Sequence, residues 1–554
     1  MKNIFAAISL FITLSAQSQY SKIIVQLTDK DNSAYNLNNP SNFLSKRAID
    51  RRIRYQIPLD STDLPVTNKY VDSIRLSGNV KILSISKWLN QILIETTDQN
   101  ALTKINLFPF VKSTNSVAPR NPSLISSKRF KEEINPIPFV FGNRNSGSKG
   151  DAFDYGSNFN QVHIHEGEYL HNKGFKGDNI QIAVLDAGFS QYKTVTAFDS
   201  VRINQQILGE RDLVNFDNSV NEDDSHGMYC LSTMAANWPG KMIGTAPKAN
   251  YWLIRTENAF TEYPVEEHNW VVGAELADST GSDMISSSLG YFDFDDVSFN
   301  HTYEQLYKNA TTVSKGAAIA ANKGMIVMNS AGNAGGSWWN FVAFPADVDS
   351  VCSVGAVNSA GDIAGFSSRG FPGKIKPNVV SVGVATVIAG FSNQPVSGNG
   401  TSFSNPNLAG LVACLWQAFP QFNNMKILDA VYRSASHYQN PDSLYGYGIP
   451  NFRIAYEQLE KEASTISFNN DWFLTVPNPF HNSLTVYLKA PETGKIQLRL
   501  LDAIGKTLEA VSLDIITNET NKIVFKNAAK YPAGAYYLQY TSNTQKKVKK
   551  LIKQ

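Results

Sequence analysis

Between about residues 160 and 460, short apolar segments that suit β-strands alternate with segments of helical periodicity. The strands are predicted at 180–185, 251–254, 284–287, 325–329 and 351–357, and the helices at 226–236, 265–277, 303–322 and 402–418. Such alternation is typical of an α/β fold in which helices flank a parallel sheet. In these folds, functional residues gather at the carboxyl ends of the strands.

The flanking parts have other patterns, as expected for a chain of 554 residues, which exceeds the usual size of one domain. Residues 17–130 combine predicted strands with a basic helical stretch at 42–54, which we interpret as mostly a solvated face. Residues 131–160 are polar, and the Gly, Asn and Ser at 142–150 indicate a linker open to proteolytic cleavage. In residues 471–554, alternating apolar runs broken by Pro and Gly predict a small antiparallel β-sandwich that ends in a basic tail.

The first residues indicate export. Lys2 precedes an apolar run from Ile4 to Leu14 and the small residues Ser15 and Ala16, so residues 1–16 are predicted to be a secretory signal peptide. The three cysteines lie in apolar contexts, which predicts buried thiols rather than a disulfide framework. A net charge of +2 gives no indication of a nucleic-acid partner.

A glycine-rich loop leads into the last predicted helix of the α/β region. Gly398 and Gly400 lie in this loop, and Ser402 follows at the start of the helix. A serine there is well placed to attack a carbonyl, because its own N–H helps to hold the oxyanion at the positive end of the helix. Capping of the helix is the alternative role for Ser402.

Three more polar residues lie at strand ends or helix starts of the same region. Asp186 ends a predicted strand, His226 opens a predicted helix, and Asn333 lies between glycines after a later strand. Singly, each has an ordinary explanation as a turn or core residue. Together, a carboxylate and an imidazole can activate a serine hydroxyl, and an asparagine amide can donate to the developing oxyanion. The order Asp, His, Ser is that of subtilisin.

The motifs around these residues resemble those of the subtilisin-like serine peptidases, the subtilase family. Residues 183–188 resemble the family's Asp motif, and His226-Gly227-Met228 resembles its His-Gly-Thr motif with Met in place of Thr. Residues 400–404 resemble its Gly-Thr-Ser-Met-Ala motif with two conservative departures. The resemblance covers about residues 175–455 and implies a subtilisin-like catalytic domain, which we place at 161–460.

The resemblance implies the role of each residue in a serine endopeptidase. Asp186 orients His226, which acts as general base and then acid, and Ser402 is the nucleophile. Asn333 and the Ser402 N–H form the oxyanion hole. Cys230, four residues after His226 on the same helix, is interpreted as a buried thiol beneath the imidazole and not as a nucleophile.

Two segments resemble the family's substrate-binding walls, one of which pairs with an extended peptide. The residues are Ser288, Leu289 and Gly290 on one wall, and Ala331 and Gly332 on the other. No obvious acidic residue indicates a basic P1 pocket, so we expect an apolar or broad preference. Trp338 and Trp339 are interpreted either as cleft residues or as packing residues.

The flanking units resemble known accessory domains. Residues 17–130 occupy the position of a subtilase propeptide, which implies a zymogen with an intramolecular inhibitor. Residues 471–554 resemble the type IX secretion C-terminal sorting domain of Bacteroidetes, on the segments 477–480, 502–505 and 532–537. The resemblance implies export through the periplasm to the medium or the cell surface, with the type IX secretion machinery and polypeptide substrates as partners.

Alternative functions remain open at the level of sequence. For the whole protein, the alternative is a catalytically silent surface binding protein with a subtilase fold. For the last domain, the alternative is a β-sandwich that binds substrate or cell wall. The resemblance implies no required cofactor. Calcium sites are common in the family, but no run of acids identifies one, so no metal ligands are predicted.

Overall fold

The computed structural model describes residues 21–119, 133–137, 150–465, 473–476, 480, 484–489, 492–517 and 520–553. The predicted signal peptide and residues 142–149 of the predicted linker lie outside these ranges. None of the described helices combines the length and apolarity needed to cross a bilayer.

The first unit is the α+β unit that the sequence predicted, and its sheet is antiparallel. Its strands are β1 (Lys22–Leu27), β2 (Lys81–Ser86), β3 (Gln91–Glu95) and β4 (Val111–Ala118), and its helices are α1 (Lys46–Tyr55), α2 (Asn68–Arg75) and α3 (Gln99–Asn106). The sheet order is β2-β3-β1-β4. Buried branched side chains from the strands and helices, such as Ile74, Ile92 and Ile105, form its core.

The central domain contains a seven-stranded sheet in the order β14-β13-β12-β11-β6-β10-β7, and all its described pairings are parallel. The strands of this domain are β5 (Ile134–Pro136), β6 (Gln181–Asp186), β7 (Ile207–Asp212), β8 (Asn237–Trp238), β9 (Met242–Ile243), β10 (Asn250–Arg255), β11 (Met284–Ser287), β12 (Ile326–Ser330), β13 (Val351–Val357), β14 (Val379–Val382), β15 (Thr386–Ala389) and β16 (Pro395–Gly398). Strands β15, β16 and β5 form a separate antiparallel sheet, and β8 pairs with β9.

Helices cover both faces of the seven-stranded sheet. They are α4 (Phe159–His163), α5 (Gly167–Asn172), α6 (Asp199–Ile203), α7 (His226–Ala235), α8 (Pro264–Thr280), α9 (Thr312–Asn322), α10 (Thr401–Ala418), α11 (Asn424–Arg433) and α12 (Phe452–Thr465). Helices α7, α10, α11 and α12 share one apolar core, and α8 and α9 share the other. The prediction of one helix over 303–322 was wrong, because the Thr311 hydroxyl caps α9 by accepting from Ser314 N.

The last unit is the expected pair of antiparallel sheets, in the orders β17-β18-β21 and β20-β19-β22-β23. Its strands are β17 (Phe473–Val476), β18 (Leu484–Lys489), β19 (Gly494–Leu501), β20 (Thr507–Ile515), β21 (Thr520–Phe525), β22 (Gly534–Thr541) and β23 (Lys546–Lys553). The basic end of the chain has regular structure. It is strand β23, which pairs with β22 along its whole length and buries Leu551 in the shared core.

The basic stretch at 42–54 is also not mostly solvated. Arg51 and Arg52 of helix α1 are only 3% exposed, and both guanidinium groups bind the buried carboxylate of Asp278 on α8. Arg52 also pairs with Asp63, which in turn binds Lys323 after α9. Each of these buried charges has a partner, which offsets the cost of removing it from water. Through these contacts, helix α1 attaches the first unit to the central domain.

Candidate active site

Asp186 and His226 meet at the carboxyl edge of the sheet. Asp186 is the last residue of β6, His226 opens α7, and His226 Nδ1 lies 2.6 Å from Asp186 Oδ1. Both side chains are buried. Asp186 Oδ1 also accepts from Ala187 N at 2.8 Å, which orients the carboxylate toward the imidazole.

Glycines allow this close approach. A Cβ on Gly227 would lie 2.5 Å from Gly188 O and 2.8 Å from Asp186 Cβ. A Cβ on Gly188 would lie 2.5 Å from Asp224 N, and its φ of +148° also disfavours other residues. The glycines of both motifs are therefore required by the contact between the turn after β6 and the start of α7.

Ser402 lies in the first turn of α10, after the glycine at position 400, and is 4% exposed. Helices α7 and α10 pack together, and Cys230 of α7 packs against Phe403 of α10. The Cys230 thiol donates to Ser402 O at 3.2 Å, and its sulfur lies 3.9 Å from His226 Nδ1. The Ser288 hydroxyl also donates to Ser402 O, at 2.8 Å. These bonds hold the serine backbone beside the histidine.

Burial raises the pKa of the Cys230 thiol to about 11, and the side chain has no exposed surface. A thiol in this state is a poor nucleophile, because the thiolate is the reactive form. The structure thus agrees with the prediction of a buried thiol beneath the imidazole. Cys352 and Cys414 are also buried and unlinked.

Asn333 follows strand β12 and contacts the residue before the serine. Its Oδ1 accepts from both Thr401 N and Thr401 Oγ1 at 2.9 Å. Since a backbone N–H can only donate, Oδ1 is the atom that faces Thr401, and the amide nitrogen remains as the donor for a ligand. Thr401 Oγ1 also accepts from Gly332 N at 3.2 Å, which ties this loop to the start of α10.

A cleft of about 590 Å³ opens beside Ser402 and Asn333. The predicted substrate-binding residues Ser288, Leu289, Gly290 and Gly332 line it, whereas Ala331 is fully buried behind the wall. Asn329 Nδ2 donates to Leu289 O at 2.8 Å and so positions one wall. Trp339 is 1% exposed and packs in the core, while Trp338 is 62% exposed, and neither is among the described residues that line the cleft.

Acidic side chains, which the sequence did not reveal, also line this cleft. Glu257, Glu262 and Asp293 are among the lining residues. Burial raises the pKa of Glu257 to about 7, and its carboxylate accepts from the Tyr291 hydroxyl. Carboxyl oxygens of Glu257, Glu262 and Glu266 lie within 4.8 Å of one another. The sequence did not indicate that these acids line the cleft, because they lie outside the motifs that mark the other site residues.

Three family models match the chain. The model of the Peptidase S8 propeptide domain of Bacteroidota covers residues 22–133, that of the subtilase family covers 177–448, and that of the secretion system C-terminal sorting domain covers 475–554. The chain belongs to the subtilase family. This subtilase is a serine endopeptidase with a propeptide, and its sorting domain implies export to the medium or the cell surface.

Individual relatives have the same central domain. The subtilase is 29% identical to subtilisin E of Bacillus subtilis (strain 168) over 290 residues, which are 52% of this chain and 68% of that protein. It is 27% identical to the thermostable alkaline protease of Halalkalibacterium halodurans over 283 residues, 51% and 69% of the two chains. Fervidolysin from Fervidobacterium pennivorans shares the fold, with a TM-score of 0.54 and 18% identity over 94% of this chain and 70% of that one.

Proposed function

We propose that Asp186, His226 and Ser402 are the catalytic triad of this subtilase. The observation that carries the proposal is the buried contact of 2.6 Å between His226 Nδ1 and Asp186 Oδ1, beside the amino end of the helix that bears Ser402. A carboxylate on Nδ1 keeps the proton there and leaves Nε2 as the base for a serine hydroxyl.

In the proposed reaction, Ser402 Oγ attacks the carbonyl carbon of a peptide bond while His226 takes its proton. His226 then gives the proton to the leaving nitrogen, and water hydrolyses the acyl-enzyme by the same steps in reverse. The Asn333 amide and the Ser402 N–H donate to the oxyanion. Support for Asn333 comes from the engagement of its Oδ1 by Thr401, which leaves the amide nitrogen to donate.

The substrate is proposed to be a polypeptide in extended form. Ser288, Leu289 and Gly290 continue from the end of strand β11 and line the cleft, so their backbone is suited to pair with a peptide strand. Gly332 has a φ of +102° and contributes no side chain to the opposite wall, which leaves room for a substrate side chain.

The propeptide unit is proposed to inhibit the enzyme until it is removed. Its hairpin between β2 and β3 places Ser86 Oγ, Lys87 N and Trp88 N as donors to the buried carboxylate of Glu275 on α8. The C-terminal sandwich is proposed to be recognised by the type IX secretion machinery. We propose that the reaction requires no cofactor.

Fluorophosphonate labelling of processed enzyme tests the triad. We expect label on Ser402, none in Ser402→Ala, and a large loss in His226→Ala. In subtilisin, removal of the oxyanion-hole asparagine lowers kcat by about 10²- to 10³-fold, and we expect a similar loss for Asn333→Ala with little change in KM. A processed protein that takes no label would favour a binding protein on a subtilase fold.

A further inference from the structure

We propose that the cleft beside Ser402 selects polypeptides with a lysine or arginine near the cut bond, and that Glu257 recognises this cation. The sequence had shown no obvious acidic residue for a basic pocket and suggested an apolar or broad preference. The inference deepens the proposed endopeptidase function by naming a substrate class, and it rests on the proposed role of Ser402 as nucleophile.

The first observation is the charge of the cleft. Glu133, Glu257, Glu262 and Asp293 line it, and no lysine, arginine or histidine is among the described residues that do so. Carboxylates that share a cavity repel one another, so each of them favours the entry of a cationic group. A cleft lined by one sign of charge also raises the rate at which oppositely charged peptides arrive.

The second observation is an acceptor atom of Glu257 that no group of the described chain uses. The side chain is only 4% exposed, and it lines the cleft. The described hydrogen bonds to its carboxylate come from the Tyr291 and Thr256 hydroxyls, and both end on Oε1. None of the hydrogen bonds or ion pairs among the described residues reaches Oε2. Because a buried carboxylate oxygen is normally satisfied, Oε2 indicates a place for a donor from outside the chain.

The third observation is that Glu257 is fixed beside the wall that is proposed to pair with the peptide. Tyr291, which donates to Glu257, is 1% exposed and directly follows the wall residues at 288–290. Its backbone is held by Phe344 through two hydrogen bonds, from Tyr291 N to Phe344 O at 3.0 Å and from Phe344 N to Tyr291 O at 3.1 Å. A carboxylate that is already positioned loses little conformational entropy when it binds an ammonium or guanidinium group.

Two neighbouring glutamates increase the attraction for a cation at this place. Carboxyl oxygens of Glu257, Glu262 and Glu266 lie within 4.8 Å of one another. Glu266 is buried and accepts from Asn258 N at 3.1 Å and from Tyr263 N at 2.9 Å. These backbone donors are neutral and do not cancel the negative charge of Glu266. A cation bound to Glu257 therefore relieves repulsion among all three carboxylates.

The preference for a cation concerns one end of the cleft. Strand β10, which leads to Glu257 and Glu262, is separated from β12 by β6 and β11 in the sheet. On the β12 side, the lining residues include Gly332, Ala334 and Ala343, which are small and uncharged. The expected apolar preference therefore applies to the β12 end, and a preferred substrate combines an apolar side chain with a cationic one nearby.

The test uses processed enzyme and fluorogenic peptides that differ at a single position. Each position near the cut bond carries Lys, Arg, Gln or Glu in turn, at about pH 8, above the pKa of about 7 that burial gives Glu257. At one position we expect kcat/KM for Lys and Arg to exceed that for Gln by at least about tenfold, and that for Glu to be lowest. The ratio of Lys to Gln should fall between about 0.05 M and about 0.5 M salt, because salt screens the attraction. A ratio below about threefold at every position would overturn the proposal.

Substitutions show which acid recognises the cation. In Glu257→Gln, we expect the ratio of Lys to Gln to fall below about threefold, because the amide keeps the shape and loses the charge. Glu457→Gln is the matched control, since Glu457 is an exposed acid of α12 that does not line the cleft, and its ratio should equal that of the wild type. Glu262→Gln combined with Asp293→Asn keeps Glu257 and should lower the ratio less. A wild-type ratio in Glu257→Gln would refute the role of Glu257.

Fluorophosphonate labelling separates this inference from the proposed triad. An enzyme that takes the label and cuts peptides without a preference for a cation refutes the inference alone. An enzyme that takes no label and cuts no peptide refutes the triad, and the inference falls with it.

Discussion

The buried arginines of helix α1 give the sharpest test of how the propeptide is held. Arg51 donates to Asp278 Oδ1 at 2.5 Å and to Lys323 O at 3.1 Å, and it also donates to Ser282 O. In Arg51→Met, the Asp278 carboxylate keeps Arg52 at 2.8 Å and Asp278 O keeps the N–H of Gly281, but the carbonyls of Lys323 and Ser282 lose the charged donor that they bind. Each of these two buried acceptors costs about 1–3 kcal/mol when it is left unsatisfied, so we expect about 2–6 kcal/mol in total.

This cost is measured by dilution of the processed complex, in which the cut propeptide stays bound. The measured quantity is the protein concentration at which hydrolytic activity appears. At about 1.4 kcal/mol for each factor of ten, the half-dissociation concentration should rise by roughly 30-fold to 10⁴-fold. Arg54→Met is the matched control, because Arg54 lies on the same helix but is exposed, and a change within about 0.5 kcal/mol is expected. If Arg51→Met and Arg54→Met dissociate at the same concentration, the buried ion pairs do not hold the propeptide.

Three further predictions concern the catalytic domain. Native Cys230, with its pKa raised to about 11, should resist iodoacetamide at about pH 8, while a small mercurial should inhibit the enzyme unless Cys230→Ala is present. Equal mercurial sensitivity in that variant would contradict this. Glu257 gains its charge as pH rises through about 7, so the ratio of kcat/KM for lysine- over leucine-containing peptides should increase from about pH 6 to about pH 8. Glu257→Gln should flatten this ratio, and an unchanged profile would exclude Glu257. Gly227→Ala pushes against Gly188 O and should lower kcat by about 10²-fold, whereas Gly365→Ala, with open space around its Cβ, should not.

The proposed catalytic residues could be selected from the sequence because each lies in a local motif. The sequence alone gives a strand followed by an Asp and a glycine turn for Asp186, and a helix start for His226 and Ser402. The parallel sheet then brings these positions to one edge, and the structure places Nδ1 and Oδ1 of the first pair 2.6 Å apart. The periodicity of apolar residues therefore predicted the fold, and the local motifs predicted the residues of the candidate site.

The cleft acids and the buried arginines could not be predicted in this way. Arg51 and Asp278 are more than two hundred positions apart, and nothing local distinguishes a paired arginine from a solvated one. Glu257 likewise reaches the cleft only because β10 lies beside β6 in the sheet. Their roles depend on which elements pack together, and a pattern within one element does not contain that information.

The two attachments of the propeptide act at different stages, before and after it is cut from the central domain. Before the cut, the covalent link to β5 keeps the propeptide at a high effective concentration over the cleft, so even a weak interface would suffice for inhibition. After the cut that contribution is lost, and retention depends on Arg51, Arg52 and the bonds to Glu275. Arg51→Met should therefore leave the rate at which the propeptide is cut nearly unchanged and shorten the interval before activity appears. A variant that slowed this cut as strongly as it weakened retention would show that the arginines also hold the propeptide in the arrangement that is cut.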